Sequence, residues 1–187
     1  MSPSELFLKI ASPAVVLAAA FVFVVVTALF FKFNPTQAIE ARFKEALNHD
    51  LFIRTGMSLY GPRKLYAMLD AYTEADYRAH YKSLYLDFIY PLIYALAFAV
   101  IIVHLQNQFR PPDTTISPYP VLLPLVAALA DYLENISLYV ILRRYQTQHA
   151  RAGALVLFAT TMTAIKILLW VASILIILAG LLKLALE

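Results

Sequence analysis

The 187-residue chain is 61% hydrophobic and 14% charged, with a mean hydropathy of +0.71, against about half apolar and a quarter charged in a typical soluble domain, so an ordinary soluble fold is excluded. A formal net charge of +3 and a pI near 9.1 would suit nucleic acid or anionic lipid, but most Lys and Arg flank apolar segments, which makes topology the better reading and leaves nucleic acid out as a partner. Cysteine is absent, which excludes disulfides, thiolate metal sites and cysteine nucleophiles.

In chain order, the first long apolar run is Ile10 to Phe31. Lys9 precedes it and Ala18 to Ala20 are small, as in a secretory signal. The run nevertheless continues past them and is too long for a signal h-region, so a retained transmembrane helix is expected. Three further segments, Leu84 to Leu105, Val121 to Leu142 and Ala154 to Leu182, also reach the roughly 20 helical residues that cross a hydrocarbon core of about 30 Å. The expectation is an all-α, four-helix transmembrane bundle forming one integral membrane domain over 1–187.

The connection 32–83 reads as a helical cytoplasmic loop rather than a bare linker. Asn34 followed by Pro35 is an N-cap with proline at the first helical position. Ile39, Phe43, Ala46 and Leu47 then share a face, so an amphipathic helix is expected. Gly61 and Pro62 open a second short helix with Leu65, Leu69 and Tyr72 on one side, and Thr73 with Glu74 and Asp76 caps a third. Such helices either lie among anionic lipid headgroups or pack over the cytoplasmic mouth of the bundle.

Tyr77, Tyr81 and Tyr85 repeat every four residues towards the second span, as an interfacial aromatic belt would. Tyr90 and Tyr94 lie inside the span on the face of Asp87. Pro91 lacks an N–H and displaces the carbonyl four residues earlier, that of Asp87. Freed backbone inside a membrane is tolerated where protein or water satisfies it. Asp87 is therefore either a site residue at a kink or an interfacial residue in contact with headgroups.

The third span carries Asp131, Glu134 and Asn135 at i, i+3 and i+4, on one face, preceded by Ala127, Ala128 and Ala130, which permit close helix approach. The fourth carries Thr160, Thr163, Lys166 and Trp170 along one face. At about 1.5 Å per residue Asp131 lies roughly 15 Å into its span and Lys166 roughly 18 Å into its own from the opposite side. An Asp131 or Glu134 to Lys166 ion pair is predicted, because Lys166 is too deep to snorkel.

The first and third loops carry Lys32, Arg42, Lys44, Arg54, Arg63, Lys64, Arg78, Lys82, Arg143, Arg144 and Arg151, against Lys9, Arg110 and Lys183 on the other side. The positive-inside rule then places both termini outside and loops 32–83 and 143–153 in the cytoplasm. The expected setting is a bacterial inner membrane.

If Asp87, Asp131 and Glu134 are all ionised, Lys166 alone leaves the interior at −2, which a low-dielectric core does not hold. A proton, a cation or a charged ligand must supply the difference. The leading expectation is a polar cavity open to the cytoplasm that binds or processes a proton or a small polar or lipid-headgroup ligand. Its residues are Asp87, Tyr90, Tyr94, Asp131, Glu134, Asn135 and Lys166. Lys166 would neutralise Asp131, Glu134 would titrate, and Asn135 and the tyrosines would supply hydrogen bonds. The alternatives are a non-catalytic accessory subunit whose buried charges lock helix packing, beside a membrane-protein partner or a second copy, and an ion or proton carrier acting as an oligomer.

No Gly-rich phosphate loop, HExxH or GxSxG occurs, and His49, His80, His104 and His149 are scattered. No catalytic residue or cofactor is assigned. Asp87, Asp131 and Glu134 offer oxygens to a hard cation such as Mg2+, on only three inferred ligands. The first span has no carboxylate, so the halves do not repeat as in an inverted-repeat transporter. YGPRKLY, LDFIYPLIY and ADYLEN, between Tyr60 and about Leu142, resemble a pattern found in small uncharacterised four-helix bacterial membrane proteins. That resemblance implies four spans and no activity.

Overall fold

The computed structural model describes residues 11–36, 39, 61–109 and 117–186, which are helical apart from short connections and contain no strand. Six helices lie within the described residues: α1 Pro13–Phe33, α2 Pro62–Asp70, α3 Glu74–Asp87, α4 Tyr90–Phe109, α5 Pro118–Gln148 and α6 Gly153–Leu186. Among the described residues, four helical stretches are long and apolar enough to cross a membrane: α1, α3 with α4 taken together, α5 and α6.

The helix boundaries follow local chemistry. Pro13, Pro62 and Pro118 each occupy a first turn, where a missing N–H costs nothing. Thr73 and Asp76 form a reciprocal capping box at the start of α3, satisfying two N-terminal N–H groups at once. At the end of α5, His149 adopts φ 49° and its N–H returns to the Tyr145 carbonyl at 2.9 Å. This left-handed cap turns the chain directly into α6.

α5 and α6 form the most extensive helix pair, α4 packs on both, and α1 lies chiefly against α4. The α5–α6 seam has a 3-4 repeat. Val156, Ala159, Thr163, Lys166 and Ser173 are the buried residues of α6, and Pro124, Ala127, Ala128, Asp131, Glu134, Asn135, Ile141, Leu142 and Tyr145 are among those of α5. That spacing belongs to left-handed helix pairs crossing near 20°. The hydroxyls on this seam are satisfied within their own helices: Ser137 donates to the Leu133 carbonyl, Thr163 to Ala159 and Ser173 to Leu169.

α1 buries none of its residues; Leu17, Phe21, Val24 and Phe33 each have more than 60% of their surface free. A helix apolar on every side has no use for water and suits lipid. Among the described residues, three polar links tie this stretch to the rest of the fold. His104 Nδ1 is 2.8 Å from the Ala11 carbonyl at one end, Thr27 Oγ1 is 3.2 Å from the Tyr90 hydroxyl midway, and Ser83 donates to Asn34 Oδ1 at 3.0 Å at the other end. Asn34 Oδ1 also accepts from the Thr36 N–H, the contact an N-cap makes. The amphipathic helix expected beyond it lies mostly outside the described residues.

α2 and α3 are not laid out flat. Leu65, Tyr66, Met68, Leu69, Tyr77 and Leu84 share one core with Ile141, Leu142, Tyr145 and Val156, so they cover one end of the bundle. This corrects the aromatic-belt expectation for Tyr77. Tyr77 is buried and donates to the Leu69 carbonyl at 3.4 Å, and Tyr81 donates to Gln146 at 3.1 Å. Only Tyr85 keeps an exposed ring. A four-residue repeat marks one helix face, and that face meets the α5 terminus here.

Candidate functional site

The i, i+3, i+4 spacing on α5 aims Asp131, Glu134 and Asn135 at α4 and α6, and the alanines of both helices let the backbones approach. Ala95, Ala127, Ala128 and Ala159 are all buried. Lys166 enters from α6. Its Nζ donates to Asp131 Oδ1 at 3.1 Å and lies 2.6 Å from Glu134 Oε2. The second contact is a close ion pair. Thus the predicted pair exists with both carboxylates at once.

The remaining valences of Asp131 are filled from its other side. The Tyr94 hydroxyl, carried by α4, donates to Oδ2 at 3.3 Å, and Asn135 Nδ2 lies 3.5 Å from Oδ1. Asn135 has a second role. Its Nδ2 donates to the Asp87 carbonyl at 3.2 Å, the group that Pro91 deprives of a backbone donor. The second span is therefore broken between α3 and α4, at Phe88 and Ile89, and a side chain of α5 replaces the missing N–H.

The predicted residues divide accordingly. Tyr94, Asp131, Glu134, Asn135 and Lys166 meet, each with at most 8% of its surface exposed. Asp87 joins through its carbonyl, and its side chain is half-buried. Tyr90 turns to α1: it pairs with Thr27, and its ring stacks on Phe30 with centroids 5.1 Å apart. Such burial leaves the five central residues packed on one another rather than lining an open cavity. Thr27 escaped notice in the sequence, although a lone hydroxyl in an otherwise apolar span was the available signal.

The Asp87 carboxylate stays at the edge of the set, near enough to interact electrostatically with Asp131, Glu134 and Lys166. Among the described residues no group of three or more His, Cys, Asp or Glu is placed to hold a metal ion. The Lys166 ammonium already occupies the space between Asp131 and Glu134 that a cation would take. Within this inner set two carboxylates face one ammonium, a formal charge of −1, and the low dielectric makes that charge expensive. The set thus combines one ammonium and two carboxylates with two neutral hydrogen-bond donors, Tyr94 and Asn135.

A second polar group lies at the capped end and had no sequence signature. Tyr145 donates to Asp70 Oδ1, Arg151 Nη2 donates to Asp70 Oδ2 at 3.1 Å, and the Ala152 N–H donates to the Tyr66 hydroxyl at 2.5 Å. These bonds fasten α2 to the α5–α6 turn. No family model, curated protein or solved structure matches this chain.

Proposed function

We propose that the chain is a multi-pass membrane protein that takes up and releases a proton at the Asp131, Glu134 and Lys166 cluster. The observation that carries this reading is the double contact of one buried ammonium with two buried carboxylates, at 3.1 and 2.6 Å. Neutrality requires one further positive charge, and a proton is the only one small enough for so closed a site. Glu134 is the exchanging carboxyl, since Asp131 is held by Lys166, Tyr94 and Asn135 together. Asp87, half-buried at the helix break, is the point of access. The Lys and Arg asymmetry puts that access on the cytoplasmic side, with both termini outside.

The test is infrared difference spectroscopy of the purified protein in lipid across a pH series. A protonated-carboxyl band that titrates in the native chain and disappears in Glu134→Gln, with the melting temperature retained, supports the proposal. The competing reading is a lock between helices, favoured by the completeness of the bonding around Asp131. If no carboxyl band titrates and Glu134→Gln only lowers the melting temperature, the lock is correct.

A further inference from the structure

At the capped end, a cavity of about 360 Å³ opens between α2 and the first turn of α6. Arg63, Tyr66, Asp70, Arg151 and Gly153 are among the residues that line it. Two guanidinium groups and one carboxylate give it a formal charge of +1. The Arg151 guanidinium lies over the Tyr66 ring, 5.4 Å from its centroid, and spends one nitrogen on Asp70. Its side chain is nevertheless 61% exposed, so part of a five-donor fork faces outward. Stacking and the Asp70 contact together fix the plane of that fork, as bidentate recognition of an oxyanion requires. Arg63 is exposed on the opposite wall.

The position of the cavity narrows the choice of oxyanion. Gly153 is the first residue of α6, and one turn deeper the helix presents Leu157 and Phe158 with 57% and 42% of their surface free. The cavity thus straddles the boundary between a charged end and an apolar wall. An anion bound there with acyl chains attached would lay them along Leu157 and Phe158, one turn being about 5.4 Å.

We infer that this cavity binds the phosphodiester headgroup of a membrane phospholipid, with Arg63 and Arg151 on the phosphate and the acyl chains against Leu157 and Phe158. A phosphodiester carries one negative charge, which matches the cavity's +1. The inference is independent of the proton site.

Native mass spectrometry of the full chain tests it, with delipidated protein titrated separately with phosphatidylglycerol, phosphatidylcholine and inorganic phosphate. Retention of one phospholipid is expected, weakened about tenfold in Arg63→Gln, by loss of one charge-assisted hydrogen bond. Arg63 serves as the primary variant because Arg151 also holds Asp70. Leu157→Glu should weaken lipid retention as well, without affecting inorganic phosphate. Equal retention in Arg63→Gln and the native chain overturns the inference. So does saturation by inorganic phosphate with no gain from the acyl chains, which would make the cavity a site for soluble phosphate. Glu134→Gln should retain lipid unchanged.

Discussion

Replacing Lys166 by methionine keeps most of its volume but removes, among the described residues, the only ammonium that contacts Asp131 and Glu134. Two buried carboxylates are then left without a cation, and the expected loss is about 3–5 kcal/mol. Detergent-solubilised thermal or SDS unfolding measures it. The triple variant Asp131→Asn, Glu134→Gln, Lys166→Met removes all three charges together and should recover most of that loss. Buried ion pairs replaced as a unit are often neutral or stabilising. A triple variant as unstable as Lys166→Met would mean that the site is held by more than its charges. The pairing was legible in advance because helix rise is constant, so counting residues from each end gave the depth of each side chain. Rotation about the helix axis was not legible in the same way. Tyr90 shares a face with Asp87 in the sequence, yet its hydroxyl is used by Thr27 of α1. A helix apolar on nearly every side gives no periodic pattern from which its orientation can be read, and Thr27 alone marked the face.

The break between α3 and α4 involves two elements that must change together. Asn135→Ala leaves the Asp87 carbonyl without its donor at 3.2 Å, at a cost of about 1–3 kcal/mol for an unsatisfied buried acceptor. Pro91→Ala supplies a backbone N–H to the same carbonyl and lets one helix continue through Phe88 and Ile89. In the double variant the cost of Asn135→Ala should shrink, and a double-mutant cycle of unfolding free energies measures the coupling. Additive costs would show that the side chain does not stand in for the proline's missing N–H. The consequence of Pro91 for Asp87 followed from proline chemistry alone. Its solution by Asn135 did not, since which helix lies opposite a gap is a tertiary matter. Farther along, Gly180 of α6 faces Leu105 of α4, where an added Cβ would come within 2.8 Å of Leu105 Cδ1. Gly180→Leu should overpack this contact and lower stability by about 1–3 kcal/mol, read in the same unfolding assay.

At the scale of the molecule, the four helical stretches long and apolar enough to cross a membrane were visible because length and hydropathy are properties of the chain itself. The packing of α2 and α3 across the end of α5 and α6 was left open between two arrangements. Their leucines and tyrosines would suit a headgroup layer or a protein core equally well, and only contact with Ile141, Leu142 and Val156 separates the two. The proposed orientation has a direct test, because the chain contains no cysteine. Ser117→Cys, before α5, and Gln148→Cys, at its end, place single thiols at opposite ends of one span. A membrane-impermeant maleimide should label Ser117→Cys in intact cells and Gln148→Cys only after permeabilisation. The reverse pattern would invert the topology and move the Asp87 access to the outside.

The polar links of α1 also bear on how the protein is made. Ala11, Thr27 and Asn34 bond to His104, Tyr90 and Ser83 respectively, all on the next stretch of chain to become a span. Helices that enter the bilayer separately associate afterwards through such contacts. In the proposed membrane setting, α1 is synthesised before this stretch and waits in lipid until it arrives. The two can pair before α5 and α6 are synthesised. The later hairpin then brings Lys166 in beside both Asp131 and Glu134 within two consecutive helices. Biosynthesis need not hold a lone ammonium or carboxylate in the bilayer while it waits for a distant partner.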